Sequence, residues 1–524
     1  MRLVRTVVGT SAAALALTAC GGGDGGSAAV ASGGTFTFAV AADPGNLDPQ
    51  ASAASGLFQI THFAYDSLLG LDGDGQVVSQ LATDWSVDGL TVTLTMDPDV
   101  TCSDGTPFTA ADAAENINFV ADPENQSPFL GVFVPNGVTA AGAGDGTVTL
   151  TLAAPAPFVL NGLAGVPMVC SAGLADRDQL TDSTLGTGPF QLSEAVPNDH
   201  YTYTVRDDYT WGPDGASTSE EGTPDQVVFQ IVPNETTAAN QLLSGEVTAG
   251  QVIGPDYDRL EAAGLFSTSV TAVLGEQWYN QTAGRPSADP AVRLALTQAV
   301  DYEQVATVLS SGRGGPGTSF AASAPSACGG DSVSDAFPTF DTDAAAATLD
   351  EAGWVAGSDG TRAKDGMPLA VTFLYDTDLG ASGSAAAELV TAAWQDLGVT
   401  VEVTPQDETA SIDTLFSTGD WDAAWVALNV SSPDQVVPFV SGPVVPDGNN
   451  FAHIANADYD AAVAEASALE GTDGCQTWLA AEAALVGSAD VFPFANQETT
   501  FFGNGAEFAV GDGLIPTSIR MTVG

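Results

Sequence analysis

The chain has 524 residues, a length at which a single hydrophobic core rarely suffices, so we expect at least two domains. Its 44% hydrophobic and 8% aromatic content is typical of a folded protein rather than a disordered one. The 66 acidic residues outnumber the 11 Lys and Arg residues and give a formal net charge of −55, which argues against binding to nucleic-acid phosphates. Two explanations of this charge stay open: a solvated surface suited to salty surroundings, and an acidic field that attracts cationic solutes.

The first residues predict export and a lipid anchor. Two arginines precede an apolar stretch that is too short to span a bilayer, and small residues come directly before Cys20. This arrangement predicts a signal peptide over residues 1–19 and acylation of Cys20 as the first mature residue. Residues 20–34 are rich in Gly and Ser and predict a flexible tether, and no later apolar stretch is long enough to cross a membrane. We therefore expect a lipoprotein on the outer face of the cell membrane.

Alternation of apolar and polar residues predicts strands through the first half of the chain. These strands cover residues 35–40, 91–96, 147–152, 190–192, 201–206 and 227–232. Helices are predicted over residues 57–69 and 110–119, the second capped by Thr109. The first half therefore predicts an α+β arrangement with much antiparallel sheet.

The pattern changes after residues 277–280, where helices and strands begin to alternate. The predicted helices cover residues 290–309, 343–352, 384–397 and 408–416, and the strands cover residues 369–375, 399–403 and 423–428. Such alternation predicts a second domain with a mostly parallel sheet covered on both faces. The tail contains a predicted helix over residues 475–486 and two Phe-rich segments that are expected to return to the first domain.

Four cysteines follow Cys20, and an even number in an exported chain predicts two disulfides. Of the three possible connectivities we favour Cys102–Cys170 and Cys328–Cys475, because each pair then stays inside one domain. A metal site is a weaker alternative, since the cysteines are far apart in sequence and none lies at ligand spacing from a histidine.

Six blocks in the same order resemble those of the extracytoplasmic solute-binding proteins of ABC importers, in the dipeptide, oligopeptide and nickel class known as family 5. The blocks are residues 33–49, 65–69, 81–85, 103–112, 186–190 and 290–301. The most characteristic of them reads SDGTPFTAAD over residues 103–112. The resemblance runs from the opening strand almost to the end of the chain.

The resemblance implies an α/β (α+β) fold of the periplasmic-binding-protein type, with two lobes that close on a ligand by a hinge. It implies a larger lobe of residues 35–276 plus about 485–524 and a smaller lobe of about 277–484. It also implies a small-molecule or peptide ligand, a permease and an ATPase as partners, and neither a cofactor nor catalysis. We expect a monomer.

The first candidate binding segment is the crossover at Trp278, Tyr279 and Asn280. Here an aromatic ring could stack on a ligand, and the amide could bond to its backbone. Core packing on a strand is the alternative, and alternation along a strand would turn one ring inward and the other outward.

The second candidate segment carries Trp425, Asn429, Ser432 and Asp434. In the family, the equivalent strand end and loop carry a carboxylate that holds the amino terminus of a peptide. Ser432 stands at that place here, with Asp434 two residues later, and the acidic residue expected after the first loop is missing. Either Asp434 replaces the carboxylate, or the ligand is a modified peptide, a sugar, a polyamine or a metal complex.

A secreted hydrolase is disfavoured, because the chain has no Gly-x-Ser-x-Gly or His-Glu-x-x-His motif. Its three histidines, His62, His200 and His453, have no partner motif for general-base catalysis. Residues 72–75 superficially resemble a calcium loop but lack the later acidic ligands, so they predict a turn. A surface sensor that works without an importer is an alternative that stays open. Neighbouring genes would discriminate between this sensor and a receptor that serves an importer.

Overall fold

The computed structural model describes residues 29–31, 33–52, 55–73, 75–323, 325–469, 471–511 and 513–523. The predicted signal peptide, Cys20 and most of the predicted tether lie outside these residues, as does Asp74 of the turn at residues 72–75. In the ranges that are described, none of the helices combines the length and apolar character needed to cross a membrane.

Extended segments make up much of the described chain. The strands are β1 (Ala29–Val30), β2 (Thr35–Val40), β3 (Leu69–Leu71), β4 (Val77–Ser79), β5 (Ala82–Asp88), β6 (Thr91–Met96), β7 (Thr139–Gly142), β8 (Thr147–Thr151), β9 (Phe190–Val196), β10 (His200–Val205), β11 (Gln226–Ile231), β12 (Ala249–Gln251), β13 (Phe266–Tyr279), β14 (Gly314–Pro316), β15 (Val355–Ala356), β16 (Arg362–Lys364), β17 (Met367–Pro368), β18 (Ala370–Asp376), β19 (Thr400–Gln406), β20 (Ala423–Trp425), β21 (Val491–Gly503), β22 (Ala506–Glu507) and β23 (Arg520–Val523).

One mixed sheet connects both halves of the chain, in the order β19-β18-β20-β13-β21-β12-β2-β11-β10-β9, with β14 added to β21. β2 pairs in parallel with β11 and β12, and β18 pairs in parallel with β19 and β20. The pairs that join β13 to β20 and to β21 are antiparallel. The prediction of a mostly parallel sheet in the second half is therefore right for β18 to β20 and wrong for β13 and β21, which connect to the first half.

The helices pack on this sheet and on smaller ones, such as the antiparallel sheet β5-β6-β8-β7 under α2. They are α1 (Ser55–Thr61), α2 (Ala110–Ala121), α3 (Val159–Ala164), α4 (Ser171–Ala175), α5 (Glu235–Ser244), α6 (Tyr257–Ala262), α7 (Pro290–Gln298), α8 (Tyr302–Leu309), α9 (Thr342–Glu351), α10 (Gly380–Asp396), α11 (Glu408–Asp413), α12 (Val437–Val440), α13 (Ala457–Ala466) and α14 (Cys475–Gly487). As predicted, Thr109 caps α2: its side chain accepts from the Asp112 amide while the Asp112 carboxylate accepts from the Thr109 amide.

Two predicted helices differ from the structure. The helix predicted over residues 57–69 ends at Thr61, because the chain then turns and its buried residue Leu69 enters β3. The helix predicted over residues 290–309 is two helices, since Asp301 accepts a hydrogen bond from the Gln304 amide and so begins α8 as its cap.

The buried apolar side chains form three large cores. One is built from residues 278–495, a second from residues 68–211, and a third joins early residues such as Phe36 to late ones such as Ile519. The division into a lobe of residues 35–276 plus about 485–524 and a lobe of about 277–484 stays a prediction. We use "first lobe" and "second lobe" for these two parts.

Both predicted disulfides are present. Cys102 is bonded to Cys170 and Cys328 to Cys475, with Cα atoms 6.2 Å and 5.3 Å apart, which is the usual range for such a bond. The first joins residues of the second core, and the second joins the long loop after β14 to the start of α14.

Candidate ligand-binding site

Two long strands carry the chain between the lobes. β13 and β21 pair antiparallel from Phe266 opposite Gly503 to Trp278 opposite Val491. The register shifts between Val273 and Glu276, so the ladder is irregular near its middle. β12 pairs with one end of this ribbon and β20 with the other. The ribbon therefore connects the strands of the two lobes within one sheet, and a hinge at this ribbon stays a prediction.

A long loop of the second lobe touches the first lobe, and we name residues 317–341 the interlobe loop. A Cβ atom at Gly75 of the first lobe would lie 2.9 Å from the Ser326 carbonyl oxygen, so the two backbones are in close contact. Beside this contact, Phe158 of the first lobe packs on Trp478 of α14, with ring centroids 6.1 Å apart. These contacts join the interlobe loop and α14 to the first lobe.

The structure buries both aromatic residues of the crossover. Trp278 and Tyr279 have no exposed surface, and the expectation that one ring would face outward is wrong because α7, α8 and residues near Phe451 cover the two faces of the second-lobe sheet. The Trp278 indole donates to the Val426 carbonyl at 2.8 Å, and the Tyr279 hydroxyl lies 3.1 Å from the Thr297 hydroxyl. Both rings stabilise the core of residues 278–495 in this arrangement.

Asn280 and Trp425 are also held by protein atoms. The Asn280 amide nitrogen donates to the Gly419 and Trp421 carbonyls, and its oxygen accepts from Thr282. The Trp425 indole donates to Gln277 Oε1 at 3.0 Å. These bonds fix the end of β13 against β20.

Asn429 joins the second candidate segment to the hinge. Its Oδ1 accepts from the Val273 amide at 2.9 Å and from the Ser323 hydroxyl at 3.1 Å. The Val273 amide lies where the β13–β21 register begins to shift, so Asn429 links the hinge to the interlobe loop.

Ser432 and Asp434 lie together at the end of this segment. The buried Ser432 hydroxyl donates to the Asp434 carboxylate at 2.5 Å. Burial raises the pKa of the half-buried Asp434 carboxyl to about 6. Among the residues described, Asp434 forms no ion pair with a basic side chain.

Two buried carboxyl groups near this segment were not predicted from the sequence. Glu276, in β13, accepts from the Leu428 amide at 2.9 Å, and burial raises its pKa to about 8. Glu482, in α14, accepts from the Ser332 hydroxyl at 2.6 Å and from the Phe320 amide at 3.4 Å, and burial raises its pKa to about 7. The only available signal was the position of each acid inside an otherwise apolar strand or helix.

These acids are not arranged as a metal site. Across the residues that the structure covers, no group of three or more His, Cys, Asp or Glu side chains could hold a metal ion together.

Comparison with known proteins identifies the family. Residues 76–442 match the family described as bacterial extracellular solute-binding proteins, family 5 Middle. The nickel-binding periplasmic protein of Escherichia coli is 28% identical over 401 residues, which cover 72% of either chain. The periplasmic murein peptide-binding protein MppA of the same organism is 26% identical over 459 residues, or 81% of this chain and 80% of MppA.

A solved structure has the same fold. The oligopeptide-binding protein AppA from Bacillus subtilis, in complex with a nonapeptide, superposes with a TM-score of 0.76 at 19% identity, and the match covers 94% of this chain and all of AppA. The bilobal architecture is therefore that of the periplasmic binding proteins. The chain belongs to family 5 of the bacterial extracellular solute-binding proteins, which capture solutes for ABC importers.

Proposed function

We propose that this protein captures a peptide or peptide-like solute outside the cell membrane, as a monomer, and delivers it to a permease that is driven by an ATPase. The observation that carries the proposal is the contact of the interlobe loop and Trp478 with the first lobe, opposite a ribbon suited to act as a hinge. A receptor built in this way buries a small ligand on closure, and a transporter can then distinguish the closed form from the open one.

Peptide-like chemistry is supported by one relative and by the groups in the site. MppA is a murein peptide-binding protein, and its similarity extends over 81% of this chain. The Ser432–Asp434 pair and the buried Glu276 offer hydrogen-bond acceptors to amines and amides. Of the candidate residues, we retain Asn429, Ser432 and Asp434 as groups that contact the solute, with Trp278, Tyr279, Asn280 and Trp425 supporting them from the core.

The proposed receptor is anchored by a lipid on Cys20. The sequence of residues 1–34 is the basis for this part of the proposal. Cys20→Ser should release the protein from the membrane fraction into the medium and abolish incorporation of labelled palmitate. Continued membrane association of the substituted protein would refute the anchor while leaving the receptor role intact.

A thermal-shift screen of the mature protein tests the receptor role. The panel comprises peptides of two to five residues, oligosaccharides, polyamines and nickel complexes. A solute that binds only the folded protein raises the unfolding midpoint by an amount that grows with its concentration. Shifts with peptides that Asp434→Ala abolishes support peptide capture through Asp434. Shifts with other solutes alone would refute a peptide ligand, and a flat response to the whole panel would refute solute capture.

A further inference from the structure

One edge of β21 is shared between the two lobes. On this edge the first-lobe strand β12 pairs with residues 501–503, and the second-lobe strand β14 pairs with residues 495–497. The amide of Val252, just after β12, donates to the Thr500 carbonyl. The two strands therefore meet end to end beside residues 498–499, so β21 passes from one lobe to the other at this point.

Arg313 bridges the ends of these two strands. A tight turn after α8 places it directly before β14, since residues 311–312 have positive φ angles of 54° and 75°. Its guanidinium donates to the carbonyls of Ile253 and Gly254 in the first lobe, the second at 2.9 Å. Its Cζ atom lies 5.0 Å from the centroid of the Tyr257 ring in α6. One side chain of the second lobe thus holds the first lobe by three contacts.

Glu235 fixes the same first-lobe turn from its other side. Its carboxylate accepts from the amides of Ile253 and Gly254, at 3.1 Å and 2.9 Å. The Ile253 carbonyl and the Gly254 amide belong to one peptide group, which is therefore bonded to a cation at one end and to an anion at the other. Such bonds polarise and strengthen each other. A Cβ atom at residue 254 would lie 2.3 Å from Glu235 Oε1, so glycine permits this close approach.

Attraction to an acidic side chain does not account for the position of Arg313. None of the ion pairs in the described ranges includes it, although the protein has 66 acidic residues. The half-buried guanidinium has instead exchanged water for two carbonyl groups and an aromatic face, all supplied by the first lobe. Separation of the lobes would break these contacts and return the charge to water.

We propose that Arg313 is a positioning residue for solute capture: it latches the two lobes together beside the β13–β21 ribbon and so stabilises the closed form. The contacts of Gly75 with Ser326 and of Phe158 with Trp478 join the lobes in the same arrangement. Loss of the latch favours the open form, so a captured solute escapes faster. This inference rests on the proposed role as a solute receptor and names a residue that controls its closure.

Closure of the lobes can be measured in the mature protein before any solute is added. Two dyes are attached through noncanonical residues at Gly144 in the first lobe and Val355 in the second, which leaves both disulfides intact. A Cβ atom at Gly144 would meet nothing within 4 Å, and Val355 is 58% exposed, so both positions accept a label. Single-molecule energy transfer then gives the closed and open populations. Arg313→Gln should lower the ratio of closed to open protein about 10-fold.

Two further variants distinguish a latch from a general loss of stability. Arg520→Gln is the matched control, because Arg520 also donates to backbone carbonyls, those of Thr517 and Ile519, but within the first lobe. It should leave the closed fraction unchanged. Tyr257→Leu should lower the ratio of closed to open protein about 3-fold, with little further effect in the Arg313→Gln protein, because both residues act through one contact. Calorimetric unfolding midpoints check that each variant is folded.

The possible results separate this inference from the proposed function. A fall in the closed fraction with Arg313→Gln but not with Arg520→Gln supports the latch, and equal populations in all three proteins would overturn it. Independent, additive effects of Arg313→Gln and Tyr257→Leu would overturn the assignment to their contact. For trialanine or another panel solute that binds, dissociation from Arg313→Gln should be about 10-fold faster, and an unchanged rate would overturn control of capture. A shifted population in a protein that no panel solute stabilises would leave the latch in place and overturn the receptor role.

Discussion

Glu276 occupies a position at which ionisation opposes folding. It has no exposed surface, and one of its oxygens has no donor among the described residues. Its pKa is about 8 in the folded protein, above the ordinary value near 4.5, because burial disfavours the charged form. The folded state therefore holds a proton that the unfolded state releases as the pH rises from about 4.5 towards 8, and stability falls across this interval.

We expect Glu276→Gln to weaken this pH dependence. The unsubstituted protein should lose stability between pH 5 and pH 8, and the Gln variant should lose less, with a difference on the order of a few kcal/mol at pH 8. Urea unfolding at a series of pH values measures the free energies. Glu498→Gln is the control, because it removes one exposed acid from β21 with the same change in net charge, and it should follow the unsubstituted protein. Parallel curves for Glu276→Gln and the unsubstituted protein would contradict a buried, protonated Glu276.

The contact of Phe158 with Trp478 connects α14 to the first lobe. Phe158 is almost fully buried here and would become exposed when the lobes separate, so its apolar surface stabilises the closed form. An aromatic pair of this kind contributes about 0.5–1.5 kcal/mol beyond the burial of area. Removing it should therefore shift the equilibrium towards the open form.

Phe158→Ala should weaken solute binding about 3- to 10-fold or more, mainly through faster dissociation, because the closed complex loses this contact. Surface plasmon resonance with a solute from the thermal-shift screen measures the rates. Phe340→Ala is the matched control: Phe340 lies in the same interlobe loop, but half of its side chain is exposed. Equal dissociation rates for Phe158→Ala and the unsubstituted protein would show that the contact does not secure closure.

Elements with a regular pattern were predicted well from the sequence. β2 begins and ends where the alternation does, and α2 begins at its cap, because both depend on local residues. The site was predicted less completely. Trp278 is a residue of the core of residues 278–495 although it looks like a ligand contact in sequence, and burial on both faces of a strand depends on distant helices. Glu276 meets the Leu428 amide, and Glu482 the Ser332 hydroxyl, only through the tertiary fold.

The protein has many more acidic side chains than its basic side chains can neutralise. All nine Lys and Arg residues in the described chain already bond to the protein's own acceptors, so they neutralise particular carboxylates and leave the other acids unscreened. Self-repulsion of this kind destabilises a compact state. Dissolved salt reduces it, because the screening length falls from about 10 Å at 0.1 M to about 3 Å at 1 M.

The unfolding midpoint should rise by several degrees between 0.1 M and 1 M potassium chloride. Chloride and potassium interact weakly with protein surfaces, so screening should dominate, and sucrose at equal osmolality is the control for exclusion effects. Differential scanning calorimetry of the mature protein provides the comparison. A midpoint that is independent of salt would show that the folded state is stable without screening of its acidic surface. Of the two explanations of the charge, this result would favour attraction of cationic solutes.

The path of the chain through the three cores sets an order for folding. The core of residues 278–495 draws on one continuous stretch, whereas the core around Phe36 needs Phe501, Phe508 and Ile519 near the carboxyl end. As the chain emerges during synthesis and export, the second lobe can therefore complete its core while the first still waits for its last strand. Until β21 emerges, β12 has an open strand edge, and until Ile519 emerges the core around Phe36 lacks one of its apolar partners, so this interval is when the emerging chain most needs a chaperone.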